Sequence, residues 1–470
     1  MNEKYRYLGK NTLIFAISSF GTKFLSFFLV PLYTNILTTE EYGIADLITT
    51  TATLMIFIFT VNISDSVLRF AINKEKKQSE ILAYGIKVLV TGSLILMGVL
   101  IIVYRVNLIR WPRMYYIFIF LYFFFTALYQ ILSNYLRAID SVTDVAIAGI
   151  ISALIIVVCN IMFLLVIKTG IYGYLVSLTA GPAIASLYAL IKIKISVQDL
   201  IRNVCNDETK KEMYVYGIPL IFNNIALWIN AFLDKYFVTA ICGTDQNGIY
   251  SIAYKIPTIL TTCYTVFSQA WNLSAIKEFD KDDKEGFFSE TYSIYNALIA
   301  IICSGLILIN IPLARILYAK NFFEASNYSS VLLVSVMFNA LTIYLGSIFS
   351  AVKRTKVIAV TTIISAAVNT LLNMILIPLL GVLGAAIATA IAYGLMWAFR
   401  LMISRLYIKL KGNYAKDILV YIMICSQVVL EHLKSRCYMG QFLVFMFVII
   451  CYRKYVNKIW SVFVKKMRKG

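Results

Sequence analysis

Residues 81–104, ILAYGIKVLVTGSLILMGVLIIVY, form a run in which Lys87 is the single charged side chain. A helix of about 20 mostly apolar residues can cross the roughly 30 Å hydrocarbon layer of a bilayer. Further apolar stretches, each bounded by charge, flank this one on both sides. We therefore predict an all-α, polytopic membrane protein of about fourteen transmembrane helices, near residues 11–33, 44–66, 81–104, 115–136, 144–167, 171–191, 214–240, 249–273, 287–313, 328–351, 357–379, 383–403, 418–433 and 438–452.

The composition of the whole chain excludes a water-soluble protein. Hydrophobic residues make up 60% and charged residues 14% of the chain, with a mean hydropathy of +0.79, whereas a soluble domain has about 25% charged residues. The net charge of +19 is also typical of nucleic-acid binders. Most of the 43 Lys and Arg residues, however, lie in alternate gaps between the apolar stretches.

This alternation follows the positive-inside rule, because cationic loops resist translocation and are attracted to the anionic cytoplasmic leaflet. It predicts a multi-pass protein with both termini in the cytoplasm and no nucleic-acid partner. One predicted outer loop disagrees with the rule, because it carries Arg105, Arg110 and Arg113 beside Trp111.

Neither the cysteines nor the histidine of this chain indicate catalysis or metal binding. The eight Cys are scattered without Cys-x-x-Cys spacing, and His432 is the single histidine. Cysteines of this kind act as small apolar residues. No metalloprotease or serine-hydrolase motif is present either, so we predict a protein without catalytic residues, a metal site or a cofactor.

The chain contains an internal repeat. Shifted by 213 residues, the segment 137–160 falls on 350–373 and matches Ile150-Ile151-Ser152-Ala153 with Ile363-Ile364-Ser365-Ala366, and Asn160 with Asn373. After each copy a Gly-x-x-Gly sequence opens the next apolar stretch, at residues 170–173 and 381–384. Six predicted helices are thus followed by six more in the same order.

Because each repeat has an even number of predicted helices, both copies enter the membrane from the same side. We predict two parallel six-helix bundles around a central cavity, plus a C-terminal helix pair. The predicted domains are residues 1–195 and 213–410, joined by a cytoplasmic linker at 196–212, with helices 13 and 14 and a basic tail at 411–470. Such an arrangement favours transport by alternating access around a site near the bilayer midplane.

Short motifs at the start of both halves resemble those of the polysaccharide flippases (Wzx-like) of the multidrug/oligosaccharidyl-lipid/polysaccharide exporter superfamily. The resemblance covers nearly the whole chain through the order and spacing of these motifs. They are Asn11–Phe15, Pro31–Thr34 and Thr39–Gly43 in the first half, and Ile218-Pro219, Asp234–Phe237, Gly248–Tyr250 and Ala253–Ile256 in the second.

The resemblance implies a flippase of the bacterial inner membrane that moves an undecaprenyl-pyrophosphate-linked oligosaccharide to the outer leaflet, for O-antigen, capsule or exopolysaccharide. It implies no covalent chemistry. It also implies contact with membrane lipids, coupling to a proton or sodium gradient, and work alongside a polysaccharide polymerase and other assembly proteins.

Ionisable residues inside the predicted helices are candidates for the transport site, because each is unfavourable by about 2.5–3.5 kcal/mol at a helix centre and normally faces protein or water. Lys23, halfway along the first predicted helix, is a candidate for binding pyrophosphate, with a structural pair or a displaced helix boundary as the alternative. Arg69, Lys235 and Lys255 are further candidates for the anionic headgroup. Snorkelling to the membrane surface is the alternative for Lys255.

Two carboxylates are candidates for ion coupling. Asp234 lies beside Lys235, and adjacent helical residues point about 100° apart, so a structural salt bridge elsewhere is the alternative. Asp65 lies four residues before Arg69, at a spacing that permits an ion pair on one helix face.

Uncharged polar residues supply candidates for binding the sugar. Asn223, Asn224 and Trp228 offer amides and a flat ring to a hydroxyl-rich ligand, although hydrogen bonds between helices explain the Asn residues equally well.

Two other functions remain open from the sequence. A drug or metabolite antiporter of the same superfamily would share the twofold layout, and a membrane enzyme of polymer assembly would be a protein of another class. The cationic candidates favour an anionic substrate over a cationic drug. The short predicted outer loops, without a catalytic motif, disfavour the enzyme.

Overall fold

The computed structural model describes residues 27–72, 78–194, 205–277, 279–433 and 437–458. Throughout these ranges the chain is helical with turns between the helices, and no strand is formed. This confirms the predicted all-α class.

Seventeen α-helices follow one another along the described chain. The first seven are α1 (Val30–Ile36), α2 (Thr39–Phe59), α3 (Ile63–Ala71), α4 (Gln78–Val106), α5 (Arg113–Ala138), α6 (Val142–Asn160) and α7 (Ile171–Ile193). The next six are α8 (Asp207–Cys242), α9 (Thr244–Ala253), α10 (Pro257–Lys277), α11 (Phe287–Leu308), α12 (Asn310–Leu317) and α13 (Ser326–Ala351). The last four are α14 (Thr355–Leu380), α15 (Val382–Ser404), α16 (Tyr414–His432) and α17 (Tyr438–Cys451).

Ten helical segments among the described residues are long and apolar enough to cross a membrane. They are α2, α4, α5, α6 with its π-helical continuation to Val166, α7, α8, α11, α13 with the preceding 3-10 turn, α14 and α15. The eighth predicted helix is divided into α9 and α10 at Tyr254–Ile256, just before Pro257. The thirteenth and fourteenth correspond to α16 and the shorter apolar α17, while most of the first lies outside the described residues.

The chain divides into two compact units, Met1–Phe232 and Leu233–Gly470. The division falls within α8 rather than at the predicted linker, part of which lies outside the described residues. The predicted domain boundaries stay a prediction.

The backbone repeats at positions that the sequence repeat pairs. Asp140 and Lys353, 213 residues apart, are both left-handed, with φ of 61° and 58°. Gly170 before α7 has φ 59° and ψ −137°, and Gly381 before α15 has φ 59° and ψ −140°. Because a residue with a Cβ is strained there, each Gly-x-x-Gly sequence sets the same reversal between two helices.

The second predicted helix is broken between α2 and α3. A capping box starts α2, in which Glu41 N–H donates to Thr38 Oγ1 and Thr38 N–H donates to the Glu41 carboxylate. The break comes at Val61 and Asn62, which have φ of 52° and 50°. A left-handed β-branched residue is a genuine outlier that persists only where its surroundings impose it.

Candidate functional site

Unit Leu233–Gly470 holds a buried carboxylate, Asp234, on α8. Its side chain is 1% exposed. The Nδ2 atoms of Asn369 and Asn373 on α14 donate to Asp234 Oδ1 over 2.8 and 2.6 Å. The hydroxyl of Thr389 on α15 donates to Oδ2, and so does Tyr250 OH on α9 over 3.2 Å. Three other helices thus direct donors at one carboxylate.

Helical periodicity explains why these donors converge. Asn369 and Asn373 are four residues apart and therefore lie on one face of α14. The same spacing on α9 and the turn after it brings Tyr250 OH and Tyr254 OH within 3.1 Å of each other. Since α14 and α15 reverse at Gly381, Thr389 returns along α15 to the level of the two amides.

No positive charge balances this carboxylate within the described residues, where Asp234 forms no ion pair. Lys235 is also buried, at 8% exposure, but as the next residue on α8 it points about 100° away. Burying a charge without a counter-ion is expensive, and hydrogen bonds from neutral groups offset part of that penalty. Asp234 therefore keeps a net negative charge whenever it is ionised.

The other ion-coupling candidate, Asp65, has a different environment in unit Met1–Phe232. It is half-buried on α3 and accepts a 2.8 Å hydrogen bond from Asn62 Nδ2, at the helix break. Arg69 is exposed on the same helix, and these two described side chains form no ion pair. The i, i+4 spacing thus permitted a contact that the structure does not contain.

The sugar-binding candidates of α8 include two residues that hold helices together. Trp228 Nε1 donates to the Thr50 carbonyl of α2 over 3.2 Å, and Asn224 Nδ2 donates to Asn62 Oδ1 over 3.1 Å. Asn223 is exposed. Asn224 thus forms the hydrogen bond between segments that the sequence offered as the alternative to sugar binding.

The remaining cationic candidates are dispersed. Lys255 is half-buried in the turn between α9 and α10. Lys23 lies outside the described residues, so its proposed role stays a prediction.

Four residues of the Asp234 site were not selected from the sequence: Tyr250, Asn369, Asn373 and Thr389. Asn373 carried a signal, since it is matched with Asn160 in the repeat and is an amide within an apolar stretch. Tyr250 belongs to the motif Gly248–Tyr250 of the family resemblance, but nothing in the sequence pairs it with Asp234. Thr389 carried no signal, because a threonine is common in membrane helices. Only the packing of α8, α9, α14 and α15 identifies them.

Comparison with known proteins places this fold in a family. The sequence profile of a family described as "Polysaccharide biosynthesis protein" matches residues 8–272, more than half of the chain. The chain is 21% identical over 245 residues to the probable low-salt glycan biosynthesis flippase Agl15 of Haloferax volcanii, covering 51% of this chain and 50% of that protein. It is 25% identical over 209 residues to the putative O-antigen transporter of Shigella flexneri, covering 42% and 49%. The chain therefore matches about half the length of these curated relatives.

Solved structures share the fold over greater lengths. The inward closed conformation of the lipid II flippase MurJ superposes with a TM-score of 0.67 at 16% identity, covering 96% of this chain and 100% of that one. An outward-facing multidrug resistance MATE family transporter of the MOP superfamily gives 0.58 at 12% identity, covering 86% and 96%. The helical fold is thus that of the MOP transporters, and by its sequence the chain belongs to the polysaccharide biosynthesis protein family.

Proposed function

We propose that this chain is a flippase that carries an undecaprenyl-pyrophosphate-linked oligosaccharide from the cytoplasmic to the outer leaflet of a bacterial inner membrane. It works by alternating access, without covalent chemistry, and cation binding at Asp234 drives it. The family, the names of the relatives and the MurJ-like fold support the transport of a glycan lipid. The single observation that carries the coupling is a buried carboxylate held by four neutral donors in a membrane-spanning fold.

A cation is the simplest way to balance Asp234. Ionisable groups inside membrane proteins are costly and mark ion pathways, and a buried charge is stable only when it is paired or neutralised. The four donors stabilise the ionised form without cancelling its charge. A proton or a metal cation arriving from one side of the membrane cancels it.

The hydrogen bonds of the site are compatible with two states, one with a free carboxylate and one with a bound cation. Thr389 Oγ1 lies within hydrogen-bond distance of both Asp234 Oδ2 and the Ala385 carbonyl, which is 2.9 Å away. A hydroxyl has one hydrogen and donates to one acceptor at a time. When Asp234 is ionised, Thr389 donates to it. When a cation occupies the carboxylate, the hydroxyl is released to donate to Ala385.

Sodium fits the site better than a proton. Asn373 donates to Asp234 through Nδ2, while its Oδ1 is buried and forms no hydrogen bond with any described residue, so the same amide has an unused acceptor oxygen. Hard cations take oxygen ligands from carboxylates, amides and hydroxyls, and Asp234, Asn369, Asn373 and Thr389 supply all three. A protonated Asp234 has a single O–H donor and would engage at most one of these oxygens.

The coupling is tested by the thermal stability of the purified protein in NaCl and in choline chloride at equal ionic strength. Wild type and Asp65→Asn, the matched control in the other unit, are expected to gain stability with Na⁺, and Asp234→Asn is not. A pH-dependent stability that is lost in Asp234→Asn, without a sodium effect, would assign the site to a proton. Equal sodium responses in all three proteins would exclude Asp234 as the cation site.

The substrate is the second part of the proposal. Lys23, Arg69, Lys235 and Lys255 attract the pyrophosphate. Of the three that the structure describes, Arg69 on α3 is the most exposed. Deleting the gene is expected to cause lipid-linked glycan to accumulate on the cytoplasmic side while surface polymer is lost. Wild type restores the polymer, and Lys23→Ala or Arg69→Ala does not at equal protein levels. Normal surface polymer with altered drug sensitivity would instead identify a drug antiporter.

A further inference from the structure

The loop between α4 and α5, together with the two helix ends beside it, concentrates positive charge where the positive-inside rule predicts little. Arg105 near the end of α4, Arg110 in the loop and Arg113 at the start of α5 are all exposed, and none forms an ion pair with a residue that the structure describes. Val106, the last residue of α4, and Leu108 in the loop are 68% and 72% exposed. Three free guanidinium groups beside exposed apolar side chains form a surface that suits an amphipathic anion.

A groove lies between the two helices next to this loop. Its volume is about 250 Å³, and its walls are mostly apolar. Leu100 and Ile101 of α4 line one side, Ile117 and Phe120 of α5 line the other, and Arg113 belongs to the same lining. The groove therefore combines an apolar channel with one guanidinium.

The loop is fixed beside the groove by two lining tyrosines. Tyr116 OH donates to the Ile109 carbonyl over 2.7 Å. The rings of Tyr104 and Tyr116 meet edge to face with centroids 5.7 Å apart, and Trp111 packs on Tyr115 at 6.0 Å. These contacts hold the backbone of the loop in place before any ligand binds, which lowers the entropic cost of binding.

We propose that this groove binds an anionic phospholipid of the surrounding bilayer. The phosphodiester lies against Arg113, with Arg105 and Arg110 adding to the positive field, and one acyl chain lies between α4 and α5. Arginine suits the headgroup because its planar guanidinium donates two parallel hydrogen bonds to a phosphate. Trp and Tyr at the same level are typical of the membrane interface.

The bilayer is the source of this ligand because the helix faces beside the groove are open to lipid. Ile101 and Ile102 on α4 are 52% and 63% exposed, and Ile117 on α5 is 38% exposed. Both helices are of membrane-spanning length and hydropathy. A lipid already dissolved in the membrane reaches the groove by lateral diffusion, whereas a water-soluble anion would meet mainly apolar walls.

The test is native mass spectrometry of the full chain in detergent, titrated with dioleoylphosphatidylglycerol or dioleoylphosphatidylcholine. Both lipids carry the phosphodiester, but the choline ammonium is repelled by the three arginines, so the wild type is expected to bind the anionic lipid about tenfold more tightly than the zwitterionic one. Arg113→Gln should weaken the binding of both lipids, because the contact to the phosphate is lost, and should clearly reduce this preference. Ile117→Trp should weaken the binding of both lipids, because the larger side chain fills the groove. Ile101→Trp should have the same effect from the opposite wall.

The matched control is Lys356→Gln, which removes an exposed cation from the first turn of α14 just as Arg113→Gln does at α5. Its lipid preference should equal that of the wild type. If both variants lost the preference for the anionic lipid equally, general surface charge would explain it and the proposed site would be refuted. Displacement of the lipid by glycerol phosphate would show a headgroup site without a chain. Displacement by farnesyl diphosphate at a lower concentration than by phosphatidylglycerol would show that the groove selects a prenyl diphosphate. Each of these two results also contradicts the proposal.

Discussion

Asn160 and Asn373 occupy matching positions in the repeat, yet their side chains have different hydrogen-bond partners. Asn160 Nδ2 donates to Tyr33 OH over 3.1 Å and to the Ile156 carbonyl over 2.7 Å. Tyr33 in turn packs on Tyr174 with ring centroids 4.8 Å apart. Asn373 Nδ2 instead donates to the carboxylate of Asp234. Each Asn is 0% exposed.

The comparison distinguishes features that both copies of the repeat share from features that occur only at the Asp234 site. Both copies of the helix reversal place a buried amide before the Gly-x-x-Gly sequence, and in both copies the amide Oδ1 is buried without a hydrogen bond to a described residue. In the first unit the amide N–H donates to a tyrosine hydroxyl, and the surrounding side chains are aromatic. In the second unit the amide N–H donates to a carboxylate. The proposed coupling to a cation therefore belongs to the second unit, on a scaffold that both units share.

Asp234→Asn should remove this difference and have the largest effect. The substituted amide cannot accept from all four donors and carries no charge, so the cation site is lost. Removing one partner of a buried charge pair costs about 3–5 kcal/mol, which predicts a fall in cation affinity of more than about 100-fold. Transport measured in proteoliposomes with an imposed sodium gradient should drop to the level of empty vesicles. Gradient-dependent transport near the wild-type rate would refute the assignment.

Asn373→Ala and Asn160→Ala form the matched pair that sharpens the comparison. Asn373→Ala removes the Oδ1 atom that we propose as a sodium ligand and should weaken the sodium response by about tenfold or more, as expected for one polar contact to a charge. Asn160→Ala removes a neutral hydrogen bond, which contributes about 1 kcal/mol. It should lower the Tm slightly and leave the sodium midpoint unchanged. The midpoint of the sodium-dependent Tm shift distinguishes the two, and equal midpoints would contradict a special role for the second unit.

Much of the fold could be predicted from the sequence because bilayer thickness fixes the length of a spanning helix and apolar runs reveal it. The repeat was visible from the Ile-Ile-Ser-Ala motif, and the backbone angles at Gly170 and Gly381 follow it. The break at Val61 and Asn62 could not be predicted, since neither Gly nor Pro marks it. Such a break depends on how α2 and α3 pack against neighbouring helices.

The site was predicted only in part, for a similar reason. Asp234 was selected because a charge in an apolar stretch is informative by itself. Its donors come from residues 16 to 155 positions away in the chain, and no local pattern encodes which of many Tyr, Asn and Thr side chains will meet it. The charge was therefore visible in the sequence, while the arrangement that gives it a function was not.

Gly170→Ala and Gly381→Ala test whether the shared scaffold responds alike in both units. Each residue has a left-handed φ of 59°, where an alanine is strained by about 1–3 kcal/mol. A Cβ at Gly381 would meet nothing within 4 Å, whereas at Gly170 it would lie 3.1 Å from Glu41 Oε1. Both variants should unfold at a lower temperature, Gly170→Ala somewhat more, as measured by differential scanning fluorimetry. A change in one variant alone would show that the matching angles do not carry equal strain.

The smallest effect is expected at Asp282, in the loop before α11. Unlike Asp234, this carboxylate is exposed and forms an ion pair. Lys409 Nζ lies 2.8 Å from Asp282 Oδ1, and the two side chains are 72% and 47% exposed. The hydrogen bond and charge of Lys409 lower the pKa of Asp282, so the folded state favours the ionised form. Its contribution is therefore present at neutral pH and is lost as the pH falls through the lowered pKa of the folded protein. Because solvent screens an exposed pair, Lys409→Met should change the Tm little at neutral pH and not at all once Asp282 is protonated. A loss comparable to that of Gly381→Ala at neutral pH would show that burial does not explain the contrast between the two carboxylates.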